Sequence, residues 1–197
     1  MTSKFIPLLL SATLLFSLNC KNDDDDNSSQ QEAKVQCDSS NTTFNKLYIS
    51  LVTPTNLGIA PTLDLVAHSY TFSVTANKTI CKVGYQSVPA MSSTPYLIEI
   101  YDNTSASILY SGSHTFSSTA TSYATITPVA IQTGHSYTIK RIQNNYASSI
   151  VNTIGRLISN STYPVIYGDL KITGSSFYGT GGPVNNNSIP YIDIVFE

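Results

Sequence analysis

Three cysteines, three histidines and a thin scatter of acids are the side chains here with the reactivity to do chemistry. Nucleophilic catalysis needs a base beside the nucleophile and a third group to orient that base. His68, His114 and His135 each lie among serines and threonines, but this composition supplies such neighbours everywhere, so they read as polar turn histidines. GSSFYG at Gly174–Gly179 is one residue too long for a Gly-x-Ser-x-Gly elbow and lacks the α/β setting that elbow requires. Glycoside cleavage asks for two carboxylates about 5–9 Å apart across a sugar. Of the acids, Asp102 reads as a hairpin turn residue, Glu99 and Asp193 as outward strand positions, and Glu197 is the last residue. Asp169, after Gly168, is the least explained and reads as structural. GTGG at Gly179–Gly182 lacks the spacing of a phosphate loop, and no histidine or third cysteine stands at metal-ligand spacing from Cys37 or Cys81. We therefore expect no catalytic residue, no metal and no cofactor.

Binding has more support. Sugars stack their apolar face on aromatic rings while amides bond their hydroxyls. The tract YPVIYGDLKITGSSFYGTGGPVNNNSIPY groups Tyr163, Tyr167, Tyr178 and Tyr191 with Asn185, Asn186 and Asn187. Residues 179–190, rich in Gly and Asn, form the best candidate ligand loop. Against this, tyrosines are ordinary strand residues, Asn/Gly runs are ordinary loops, and the chain has no tryptophan. The body carries few charges of either sign, which argues against a nucleic-acid partner.

The elements that must position these residues begin with MTSKFIPLLLSATLLFSLNC. One lysine, Lys4, precedes an uncharged run that spans only ~21 Å as a helix, short of a ~30 Å hydrocarbon core. A positive start, a short apolar core and an abrupt polar end describe a signal peptide over residues 1–19. Four aspartates follow, which could not share a core with that run.

Cys20 at this junction resembles the lipobox cysteine of bacterial lipoproteins. That likeness implies a diacylated thiol at the mature N-terminus and a membrane held through the lipid. The family has Leu three residues earlier and a small residue just before the cysteine, where this chain has Ser17 and Asn19. Ordinary cleavage nearby, leaving Cys20 a thiol, is the alternative. The run Cys20-Lys21-Asn22-Asp23-Asp24-Asp25-Asp26 is similar to the acidic export tag of surface lipoproteins in one Gram-negative lineage. The resemblance implies an outer-membrane protein exposed at the cell surface. Like charges in a row repel and stay hydrated, so residues 20–44 read as a flexible tether.

Residues 45–197 are long enough for one domain that buries roughly two-thirds of its unfolded-chain surface. In an oxidising compartment Cys37 and Cys81 are a candidate disulfide, although Cys81 alternates with Val83 and Tyr85 and could be a buried free thiol. Period-two alternation recurs in HSYTFSVT, PYLIEIYD, SYTIKRIQ and PYIDIVFE. Further strands are expected near 46–53, 78–86, 107–111, 121–131 and 163–173. Many short strands parted by turn signals, without βαβ spacing, predict an all-β antiparallel sandwich. In ASSIVNTIGRLISN, Ile150, Ile154, Leu157 and Ile158 follow a helical stripe, giving a short helix near 148–158 or a strand-capping loop. Over residues 65–197 the succession YTFSV, ICKVGYQ, YLIEIYDNTSASILYSG, GHSYTIKRI and YIDIVFE resembles jelly-roll-like sandwiches of bacterial surface proteins.

Together these readings predict a lipid-anchored, surface-exposed, non-catalytic β-sandwich that binds a glycan or extracellular polymer. The alternatives are a structural or protein-interaction component of an envelope assembly, and a hydrolase whose acids are unplaced.

Overall fold

The computed structural model describes residues 37–51, 60–63, 65–144, 152–159, 162–179 and 182–197. They belong to one compact unit, Val35–Glu197. One α-helix, α1 (Thr43–Leu51), precedes thirteen strands among the described residues: β1 (Ala60–Leu63), β2 (Ala67–Val74), β3 (Lys78–Tyr85), β4 (Tyr96–Asp102), β5 (Ser107–His114), β6 (Ser122–Ile131), β7 (Tyr137–Gln143), β8 (Asn152–Ser159), β9 (Val165–Tyr167), β10 (Leu170–Gly179), β11 (Gly182–Asn185), β12 (Ser188–Pro190) and β13 (Asp193–Phe196), with a 3-10 turn at Pro89–Met91 between β3 and β4.

The large sheet runs β11-β10-β2-β7-β4-β5, with β9 added to β10. A second sheet is β13-β3-β6 and a small third one is β1-β8-β12. Every pairing is antiparallel. The alternation read from the sequence sets which face is buried. Tyr70, Phe72 and Val74 of β2 turn inward while Ser69, Thr71 and Ser73 do not. Tyr96, Ile98 and Ile100 of β4 and Tyr137, Ile139 and Arg141 of β7 do the same. The register lines up Tyr70, Ile139 and Ile100 across three strands. Opposite them lie Ile80 and Val83 of β3, Val129 and Ile131 of β6 and Ile194 of β13, all in one core. This is a β-sandwich.

A bulge keeps β10 in phase. Its register shifts between Ile172 and Gly174, so Leu170 and Ile172 point inward before it and Ser175 and Phe177 after it. Were the same residues to run on without a bulge, strict alternation would turn Ser175 and Phe177 to solvent.

Four sequence expectations are corrected. Residues 43–51 are helical rather than part of a strand over 46–53: Thr42 caps α1, its Oγ1 accepting from Asn45 N at 2.9 Å, and Phe44, Leu47 and Tyr48 form a buried stripe. The tether boundary at residue 44 moves back, because Thr42 and Phe44 are buried. Asn152–Ser159 is not helical but is strand β8, paired with β1 and β12, in keeping with Gly155 and its β-branched neighbours; residues 148–151 lie outside the described residues. The loop expected over 179–190 contains β11 and β12, with 180 and 181 outside the described residues.

Helix α1 closes one side of the sandwich. The Phe44 ring stacks on Tyr70 at 5.2 Å and meets Tyr191 edge-on at 5.2 Å, while Tyr48 meets the same tyrosine at 4.9 Å. That cover makes both faces of β13 interior: Asp193, Ile194 and Val195 are all buried. Cys37 and Cys81 are joined by a disulfide, which ties the chain just before α1 to β3. Lys82 Nζ donates to Cys37 O at 2.9 Å beside it.

Candidate functional site

The expected ligand residues are divided among three settings. Tyr191 is interior, its hydroxyl donating to Asn45 Oδ1 at 3.0 Å beneath α1. Tyr163 is half-buried and bonds Ser175 Oγ at 2.8 Å. Asn186 adopts a φ of 57° and bonds both the N–H and the carbonyl of Ser175, each at 3.0 Å. Tyr163 and Asn186 thus meet at Ser175 as structural partners, the Tyr163 hydroxyl and the Asn186 Oδ1 being engaged there. Tyr167, Asn185 and Asn187 are exposed, and Tyr178 projects from β10 with half its surface in solvent. The four tyrosines do not form one platform, because inward and outward positions alternate along a strand and α1 covers one of them.

Tyr178 lines a groove. Its partner in register is Ala67, which places it on the outer face of the large sheet. There a groove of about 360 Å³ is lined by Tyr178 and Ser176 of β10, Ala67 and Ser69 of β2, and Lys140 and Ile142 of β7, with Val66 beside them. Register explains the grouping: Ser176 faces Ser69, Ser69 faces Lys140, and Ala67 faces Ile142. Lys140 also stands opposite Glu99 on β4, yet it makes no ion pair or hydrogen bond among the described residues. An aromatic ring, an apolar floor, two hydroxyls and an uncommitted ammonium therefore share one shallow groove.

The histidines do three different things: His135 lies in a turn as expected, while His68 and His114 are strand residues. His68 is buried on β2 against the edge of Phe177, at 4.8 Å. His114 Nε2 and Tyr110 Oη are 2.6 Å apart, and burial lowers the His114 pKa. His135 Nδ1 lies 2.8 Å from Asp102 Oδ2. Asp102 is the hairpin residue the sequence suggested, but its carboxylate points back under the turn, where Oδ1 accepts from Thr104 N at 2.8 Å and Ser105 N at 3.2 Å. Burial pushes this acid up, while the bonds from His135, Ser105 and Thr104 outweigh it and bring it down to about 2. Asp169 pairs with Lys78 at 2.8 Å and accepts from Thr75 Oγ1, which explains it structurally.

Asp193 is the largest departure from the sequence reading. Expected to point outward, it is fully buried, and its Oδ2 accepts from Thr42 Oγ1 at 2.9 Å and Tyr123 Oη at 2.8 Å. Burial raises it to about 6, with the hydroxyls of Tyr123 and Thr42 pulling the other way. Arg141 is interior too, its guanidinium 5.3 Å from the Tyr85 ring and 5.1 Å from the Tyr96 ring, with Nη1 donating to Leu65 O at 2.9 Å. Both are core residues and not part of the groove.

Among the described residues no group of three or more His, Cys, Asp or Glu could hold a metal ion, and no helix is long and apolar enough to cross a membrane. Fold and groove define an antiparallel β-sandwich with a shallow polar–aromatic face. No family model, no curated protein and no solved structure matches the chain.

Proposed function

We propose that this is a lipid-anchored, surface-exposed, non-catalytic protein whose sandwich binds a glycan or an extracellular polymer on the outer face of its large sheet. The observation that supports it is the groove around Tyr178. An exposed aromatic ring beside serine hydroxyls and a free ammonium suits a sugar, whose apolar face stacks while its hydroxyls bond. The site is smaller than the tyrosine tract suggested: Tyr178 remains, joined by Ser69, Ser176 and Lys140. A glycan array probed with the purified protein tests this. Replacing Tyr178 with Ala is expected to weaken a captured glycan roughly tenfold, about 1.4 kcal/mol. Failure to capture any glycan sinks the reading.

The anchor rests on Cys20 and the acidic run Lys21 to Asp26. Fatty-acyl labelling in the producing cell is expected to vanish in Cys20→Ala, and labelling that persists refutes the assignment.

A second reading, an envelope protein partner, is favoured by β5. It ends the large sheet, contains no Asp, Glu, Lys or Arg, and exposes Ile108 and Leu109. Such an edge can accept a strand from another protein. Leu109→Lys should then release a co-purifying envelope protein, and unchanged co-purification argues against this edge.

A further inference from the structure

On the side away from α1, the sheets end in β5 and β6, and there a cavity of about 390 Å³ opens between them. Its walls are apolar: Leu109 from β5, Pro128, Val129 and Ala130 from β6, and the ring of Tyr137. Its polar groups come from two turns. Asp102 and Ser105 belong to the β4–β5 hairpin, and Gln132 and His135 to the β6–β7 connection. Asp102 accepts the Nδ1 proton of His135, so the neutral imidazole keeps its lone pair on Nε2. That nitrogen bonds nothing among the described residues. A carboxylate behind the ring fixes the tautomer and makes the free nitrogen a better acceptor.

The charge balance around the cavity is one-sided. No lysine or arginine lines it. The adjoining cavity, which shares Ala130 and Gln132, contains Glu197 and Lys78, and Lys78 is already held by Asp169 at 2.8 Å. Asp102 is ionised at any pH near neutrality. An anion would therefore enter an unfavourable field. A metal ion would find one imidazole and a carboxylate whose oxygens are both engaged. Catalysis would need donors for a developing charge, and the Thr104 and Ser105 N–H groups are turned to Asp102.

We propose that this cavity binds a small molecule carrying a primary ammonium on an apolar body. One N–H donates to His135 Nε2, the positive charge sits in the field of Asp102, and the body packs against Leu109, Pro128 and Tyr137. The site is distinct from the Tyr178 groove and does not depend on the glycan reading.

Three probes with one ring and three charges test the chemistry: benzylammonium, benzyl alcohol and benzoate, each titrated into the purified protein near neutral pH. The His135 ring stacks on Tyr137 at 6.0 Å; the readout is its imidazole resonance, assigned by its loss in His135→Phe, which keeps a ring at that position. Benzylammonium is expected to shift that resonance saturably, about tenfold tighter than benzyl alcohol, with benzoate leaving it unmoved. Asp102→Asn, which can still accept from Thr104 and Ser105, should bring benzylammonium down to the level of the alcohol. Should either variant fail to fold, the comparison of three probes on the wild type still decides. Equal affinity for all three, preference for benzoate, or shifts confined to the Tyr178 groove each overturn the proposal.

Discussion

Asp193 has the clearest pH consequence of any single residue. Its folded-state pKa, about 6, is above the ordinary 3.8, so the native state holds its proton more tightly than the unfolded chain. The stability this contributes is complete below about pH 4 and is lost as pH rises through 6, a change of about 3 kcal/mol. Asp102 has the opposite sign. Its pKa near 2 contributes stability that is present above the ordinary value and lost as pH falls through 2. The two terms together peak near pH 4. Asp193→Asn is expected to raise the melting temperature near pH 8 and to converge with the wild type near pH 4. A wild-type-like profile across that range would show that Asp193 does not titrate as its burial implies. Its neighbour Gly84 is constrained by the same cluster: a Cβ there would lie 2.5 Å from the Tyr123 ring and 3.1 Å from Asp193 Cβ. Because Tyr123 is bonded to Asp193, its ring cannot swing away freely. Gly84→Ala is expected to cost about 1–3 kcal/mol in chemical denaturation.

At the scale of elements, α1 and the disulfide act on the same corner. Phe44 has no exposed surface and touches two aromatic rings, so Phe44→Ala should cost roughly 3–5 kcal/mol through lost burial and a residual cavity. The Cys37–Cys81 bond spans 44 residues, for which loop closure gives a ceiling of about 4 kcal/mol. Reduction should lower the denaturation midpoint in wild type and leave a Cys37→Ser, Cys81→Ser variant unchanged. The bulge in β10 shows how one extra residue decides a face: it returns Ser175 and Phe177 to the interior and leaves Tyr178 in the groove.

For the whole molecule, the pairings join distant parts of the chain. β2 pairs with β10, β3 with β13, and β1 with β8. Loop closure must precede such contacts, so refolding is expected on the millisecond-to-second scale, measurable by stopped-flow tyrosine fluorescence. Microsecond refolding would contradict this topology. The two sides of the sandwich also differ in kind. Helix α1 seals one side, while β5 and β6 border a cavity on the other.

The strands were legible in the residues because a half-buried strand writes its faces as period-two alternation, and β2, β4 and β7 are half-buried. Helix α1 was signalled by Thr42 as a cap and by Phe44, Leu47, Tyr48 and Leu51 at helical spacing, but Ile49 and Leu51 gave the same run a strand-like look. For Asp193, no local signal could serve. Its alternation on β13 was read correctly as opposite to Ile192 and Ile194, yet α1, some 150 residues earlier, covers that second face. The Tyr178 groove and the Asp102–His135 cavity likewise depend on registers between strands far apart in the chain. Alternation along one strand tells which residues share a face; only pairing and cover decide which face meets water, and those arise from the packed whole.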